Sequence, residues 1–154
     1  MIKVQHTILI RRPVHDVFAF VANYENDPQW RSEVRSMRNM PTAPIGLGTQ
    51  TVEISQVMGQ HLETTTMITE WEPDHRVVSH TTAGRIPLVS TRLVEPAGTG
   101  TALTYRLEGD ERGVFVFRLV RPLLERWYQR KVEGYLQTLK RRLEAAGPAR
   151  PKPA

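Results

Sequence analysis

The chain has 154 residues, 40% of them apolar and 24% charged, with a net charge of +5 and no cysteine. That length suits one domain around one sizeable core. The missing cysteines exclude disulfides, thiol catalysis and thiolate-held metals, and no run approaches the roughly 18 apolar residues of a membrane span.

IKVQHTILI, residues 2–10, alternates imperfectly and reads as a first strand. The opening MIKVQHTILIRR lacks a small-residue cleavage site, so a cytoplasmic location is expected. Pro13 suits a first helical turn, and Val14, Val17, Phe18 and Val21 follow on one helical stripe. Asp27-Pro28 repeats the start signal, Asp as N-cap and Pro at the first helical position, which predicts a second short helix ending near Trp30 or Glu33.

The period then becomes that of strands. Segments 34–39, 49–58, 61–71, 76–83, 87–95 and 101–108 are rich in β-branched residues or bounded by turn chemistry. Gly59-Gln60, Glu72-Pro73-Asp74-His75 and PAGTG are the clearest turns. Six strands with hairpin-length connections predict an antiparallel meander. In the last of them Leu103, Tyr105 and Leu107 share one face.

A helical period returns with Val120, Leu124, Val132, Leu136, Leu139 and Leu143. Pro122 either opens this helix, which then runs to Ala146, or kinks a longer one beginning near Gly113. VFVF at 114–117 is either an apolar lid or the start of the helix and core filling. Residues 1–146 form the expected domain, and the proline-rich 147–154 an expected disordered tail.

The positive charge is concentrated late. Arg118, Arg121, Arg126, Arg130, Lys131, Lys140, Arg141, Arg142, Arg150 and Lys152 face only Glu125, Glu133 and Glu144. Such a face either meets nucleic acid, an anionic membrane or an acidic partner or is the solvated side of a helix, with its last basic residues favourable to the helix dipole.

No enzyme signature emerges. The histidines at 6, 15, 61, 75 and 80 form no metal-ligand pattern, and no serine sits in a nucleophile elbow. His61 and His80 are either a proton-transfer pair across the sheet or independent surface residues. Gly46-Leu47-Gly48 leads into a strand, so it is a turn and not a phosphate-binding loop. Neither cofactor nor metal is called for.

The segments RPVHDVFAFVANYENDPQW, ITEWEPDHRVV, GTGTALTYRLEG and RPLLERWYQRKVEGYLQTLKRRLE span nearly the whole chain. In that order they resemble the START-like superfamily, and within it the polyketide cyclase/dehydrase branch of SRPBCC proteins. The resemblance implies an α+β helix-grip fold: a curved antiparallel seven-stranded sheet around a long C-terminal helix, with the two short helices plugging one end of the groove. It also implies a pocket lined by Trp30, Glu70, Thr91, Leu93, Tyr105, Leu107, Phe117, Val120 and Leu124. Trp30 is then either at the pocket wall or a staple between the short helices and the sheet. Tyr105 offers its hydroxyl either to a ligand carbonyl or to backbone. Whichever of Glu53 and Glu70 points inward needs an arginine, with Arg92 the candidate, and the family parity favours Glu70.

Three functions follow from this reading. The first is binding of a lipid, polyketide or quinone-like molecule. The second is a cyclase or dehydratase that works largely by folding its substrate. The third is an interaction protein using the basic helix. The partner expected first is a small hydrophobic molecule. RNA or an acidic surface, and a second copy of the chain in a homodimer, are further candidates; DNA is not expected.

Overall fold

The computed structural model describes residues 2–42, 44–109 and 115–146, with side chains omitted for 115–118. The expected tail at 147–154 and the helix start near Gly113 lie outside the described residues, as does the side chain of Phe117.

Strand β1 (Ile2–Ile10) leads into helix α1 (Val14–Ala22) and then a 3-10 turn, Tyr24–Gln29. Strands β2 (Val34–Met40), β3 (Gln50–Val57), β4 (Gln60–Glu72), β5 (Arg76–Ala83), β6 (Leu88–Ala97) and β7 (Gly100–Gly109) follow, and then helix α2 (Phe115–Ala145). The strands form one seven-stranded antiparallel sheet in the order β1-β7-β6-β5-β4-β3-β2. The first strand therefore closes the meander beside the last. At Gly100 a β-carbon would stand 2.2 Å from the Ile10 carbonyl, so only glycine permits this approach of β7 to β1.

Helix α2 has 31 residues, with Pro122 inside it. Its second half buries Val132, Tyr135, Leu136, Leu139 and Leu143. They join Ile8, Ile10, Val94 and Leu103 from the sheet and Val17, Phe18 and Val21 from α1 in one core. Each fully buried aliphatic side chain there contributes about 1.5–3 kcal/mol. Polar ties fix the same end: Arg12 Nη1 donates to the Leu143 carbonyl at 2.9 Å, and Lys140 Nζ to the Leu9 carbonyl at 2.5 Å.

Three sequence expectations change here. The second short helix begins earlier than the Asp-Pro signal suggests, because Asn23 is its N-cap and accepts from the Glu25 N–H at 3.2 Å. Asn23 Oδ1 also accepts from Asn39 Nδ2 at 2.9 Å, which ties the cap to β2. Asp27 is thereby freed from capping, and its carboxylate is fully buried against Arg92.

On β6 the inward residues are Ser90, Arg92 and Val94, opposite Leu107, Tyr105 and Leu103 of β7. Thr91 and Leu93 are therefore on the outer face, one residue out of phase with the expectation. The strand's apolar residues, Leu88, Val89, Leu93 and Val94, occupy both parities, so they carry no clean phase.

On β4 the pairing with β5 shifts between Ile68 and Glu70. Ile68 is 1% exposed on the inner face, whereas Glu70 beyond the bulge turns outward to Arg76 at 2.8 Å. Trp71 returns to the inner side and meets Phe18 edge-on at 5.3 Å.

Candidate functional site

Beyond the dry core, between the sheet and the middle of α2, lies a cavity of about 160 Å³. Its upper walls are apolar, from Met37, Val57, Leu62, Ile86, Leu88 and Leu107. Its floor is polar because the inner faces of β3, β4, β5 and β6 present Glu53, Ser55, Thr64, Thr66, Ser79 and Ser90. Tyr24, Tyr105 and Tyr128 complete the lining, together with Arg31, Glu33, Thr81, Arg85 and Arg92.

Two arginines organise the floor. Arg92 is 2% exposed and holds Asp27 through both terminal nitrogens, Nη1 to Oδ1 at 2.8 Å and Nη2 to Oδ2 at 2.5 Å. Its Nη1 also donates to the Val21 carbonyl at 2.6 Å, which joins the end of α1 to the sheet. The guanidinium is surrounded by aromatic rings, 4.2 Å from Tyr24, 5.0 Å from Trp30 and 5.4 Å from Tyr105. Burial disfavours its charge, but Asp27, with Tyr24 and Tyr105, more than offsets this and raises the Arg92 pKa.

Arg31, just past the 3-10 turn, reaches the neighbouring strand. Its Nη1 donates to Asp27 Oδ2 and to Glu53 Oε2, both at 3.1 Å, and its Nη2 to Glu53 Oε1 at 3.3 Å. Glu33 lies 4.0 Å from Arg31 Nη2 and 4.0 Å from Lys131 Nζ. The Arg31 charge is likewise disfavoured by burial and restored chiefly by Glu53, with its pKa raised overall. The inward carboxylate is therefore Glu53 and its arginine is Arg31, where the sequence had pointed to Glu70 and Arg92.

The hydroxyls respond to the same surroundings. The Tyr24 hydroxyl donates to Ser79 Oγ at 3.1 Å. Burial raises the pKa of Tyr128, and Arg31 only partly opposes it. Tyr128 thus stays a protonated phenol, able to donate. Ser90 Oγ is buried with no partner among the described residues, so its hydrogen-bonding capacity is unspent.

Of the residues expected to line a pocket, Tyr105 and Leu107 do so. Trp30 stands behind them in the core, 3% exposed and edge-on to Tyr105 at 5.9 Å, in the position of the staple. Glu70, Thr91 and Leu93 are on the other face, Leu124 is half-buried outside the lining, and Val120 is 40% exposed. His61 and His80 are both exposed and pair with different neighbours, Gln56 and Met67, so they form no couple. Arg31, Ser79, Ser90 and Tyr128 escaped the sequence reading, which weighed Glu53 but favoured Glu70. Strand parity through Thr51 and Ser55 would have found Glu53, but Val52 and Ile54 make the opposite face the more apolar one.

The family profile described as polyketide cyclase / dehydrase and lipid transport matches residues 1–144. The chain belongs to that family. No curated protein matches it by sequence. The fold of the family is borne out by solved structures. TTHA0849 from Thermus thermophilus is 23% identical, with a TM-score of 0.79 over 95% of this chain and 99% of that one. A START superfamily protein from Mycobacterium smegmatis is 17% identical, with a TM-score of 0.72 over 94% and 98%. The di-domain aromatase/cyclase StfQ of the steffimycin biosynthetic pathway is 14% identical, with a TM-score of 0.75 over 94% of this chain and 52% of that one. These likenesses establish the α+β helix-grip architecture. Among the described residues, no helix is long and apolar enough to cross a membrane.

Proposed function

We propose that this polyketide cyclase/dehydrase-family protein binds one small, largely hydrophobic molecule in the cavity between the sheet and α2. The observation that carries this reading is the cavity itself, about 160 Å³ with apolar walls and a floor of hydrogen-bonding groups. Apolar walls supply affinity, and a few fixed polar groups supply orientation. Leu107, Leu88 and Met37 pack against the ligand body. The hydroxyls of Tyr105, Tyr128 and Ser90 serve an oxygen on it.

Native mass spectrometry after gentle purification, followed by denaturing extraction, tests this. The expected result is a mass excess of one small molecule, absent from a folded Ser90→Phe variant whose ring fills the cavity. Retention of the same compound by that variant would place its site elsewhere and contradict the reading.

A second reading, turnover of a polyketide-like chain, is supported by the convergence of Glu53, Arg31, Tyr105 and Tyr128 on one cavity. Glu53 is the group suited to accept a proton and Tyr128 the one suited to donate, while the walls hold the chain in a folded geometry. Incubating the extracted compound with fresh protein separates the two readings: a new chromatographic species, of equal mass for ring closure or lighter by water for dehydration, means turnover, and recovery of the compound alone means binding.

A further inference from the structure

The paired charges around the cavity floor cancel one for one. Asp27, Glu33 and Glu53 stand against Arg31, Arg92 and Lys131, all within the contacts described above. More important than the sum is the way the cations are spent. Both terminal nitrogens of Arg92 are engaged, by Asp27 and the Val21 carbonyl, and its faces are covered by rings. Both terminal nitrogens of Arg31 are taken by Asp27 and Glu53. Lys131 lies 4.5 Å over the Trp127 ring and faces Glu33. Arg85, the remaining cation of the lining, is exposed at the rim, where water screens it.

We propose that the cavity selects an uncharged ligand bearing a carbonyl or hydroxyl oxygen, rejects the carboxylate of the same shape, and owes this choice to Glu53. The proposal rests on the ligand-binding reading above and adds the chemical class. An anion entering the cavity would shed its hydration, find the terminal nitrogens of both arginines engaged and their unpartnered Nε atoms buried out of reach, and come to rest beside the Glu53 and Glu33 carboxylates. Burying a charge without a free partner is strongly unfavourable. A neutral oxygen meets none of these costs, since Tyr105 and Tyr128, which carry hydroxyls, line the same space. Burial also holds Tyr128 in its protonated, donating form. Glu53 is the decisive group because it alone occupies both ends of the Arg31 fork. Neutralising it would turn a closed ion pair into a cation open to a ligand carboxylate.

The test compares 2-naphthol with 2-naphthoate, one ring system in neutral and anionic form, by calorimetry at neutral pH. Wild-type protein is expected to bind the naphthol at least about tenfold more tightly, the least that an unpaired buried charge should cost. Glu53→Gln is expected to gain naphthoate affinity about tenfold or more, because charge-assisted bonds to a freed arginine replace a repulsion. A melting curve shows whether that variant is folded. Glu33→Gln, which relieves Arg31 of a carboxylate 4.0 Å away, should move selectivity the same way by less. Wild-type protein that takes naphthoate as tightly as naphthol overturns the proposal without any variant. So does a folded Glu53→Gln that binds naphthol and shows an unchanged ratio. If wild type binds neither compound, the ligand-binding reading fails at this site, and the inference fails with it.

Discussion

The two halves of α2 carry similar apolar spacing and meet opposite surroundings. In the C-terminal half Val132, Leu136 and Leu139 are 0% exposed, whereas in the N-terminal half Leu119 and Leu123 are 78% and 70% exposed. Part of the difference is facing, since Leu123 lies two and a half turns before Val132 and so on the other side of the helix, and part is the sheet below. Ile8, Ile10, Val94 and Leu103 offer the C-terminal half a continuous apolar floor. Where Tyr128 meets the sheet, the inner face instead carries Glu53, Ser55, Thr64, Thr66 and Ser90. There these polar groups alternate with Leu62, Leu88 and Leu107, and a cavity of about 160 Å³ remains between sheet and helix. One end of the molecule is a core, and the other is a site.

The sharpest break in that contrast should come at the boundary, where Arg92 joins the 3-10 turn to β6. Arg92→Met leaves the Asp27 carboxylate buried without its main partner, and a loss of about 3–5 kcal/mol is expected in urea unfolding. A loss under about 1 kcal/mol would mean that Asp27 is solvated and the boundary wet.

The contrast within α2 comes next. Leu136→Ala should cost about 2–5 kcal/mol, as buried leucines do, while Leu123→Ala should stay within about 0.5 kcal/mol. Comparable losses from the two variants would show that the N-terminal half is packed against something in solution.

The smallest effect is an alkaline one. Burial holds the Tyr128 pKa above the ordinary value of 10.0 and raises that of Tyr24 for the same reason. For an acid whose folded pKa is raised, the contribution to stability is intact below the unfolded value and falls as pH climbs towards the folded one. Ultraviolet titration should therefore show tyrosines ionising late, one fewer in Tyr128→Phe. An unchanged late fraction in that variant would mean the cavity floor is open to water.

Much of this arrangement was legible in the chain. The alternation of Leu103, Tyr105 and Leu107 put them on one face of β7, the family resemblance made that face the inner one, and the turn signals marked six strands near their observed limits. The site was harder to read for a physical reason. Sequence patterns locate burial through apolar residues, and this cavity is floored by polar ones. The inner parity of β6 runs through Ser90 and Arg92, while Leu93 lies outside. A bulge in β4 reversed the parity just before Glu70. Asp27 carries the residue type of an N-cap, but its partner Arg92 is 65 positions away, and local rules do not reach that far. The helical stripe that suggested Val120 and Leu124 as pocket residues is real as a period, yet a period does not say what covers it.

The central claim is that the polar-floored half of the molecule is the site. It is tested most directly by two-dimensional ¹H–¹⁵N NMR of the labelled protein titrated with 2-naphthol. The account predicts saturable shifts at residues 53–57, 62–66, 79–81, 88–92 and around Tyr105 and Tyr128, with the Val132–Leu143 core unmoved. Shifts confined to the exposed face around Leu119 and Leu123, or no saturable shift at any residue, would contradict it.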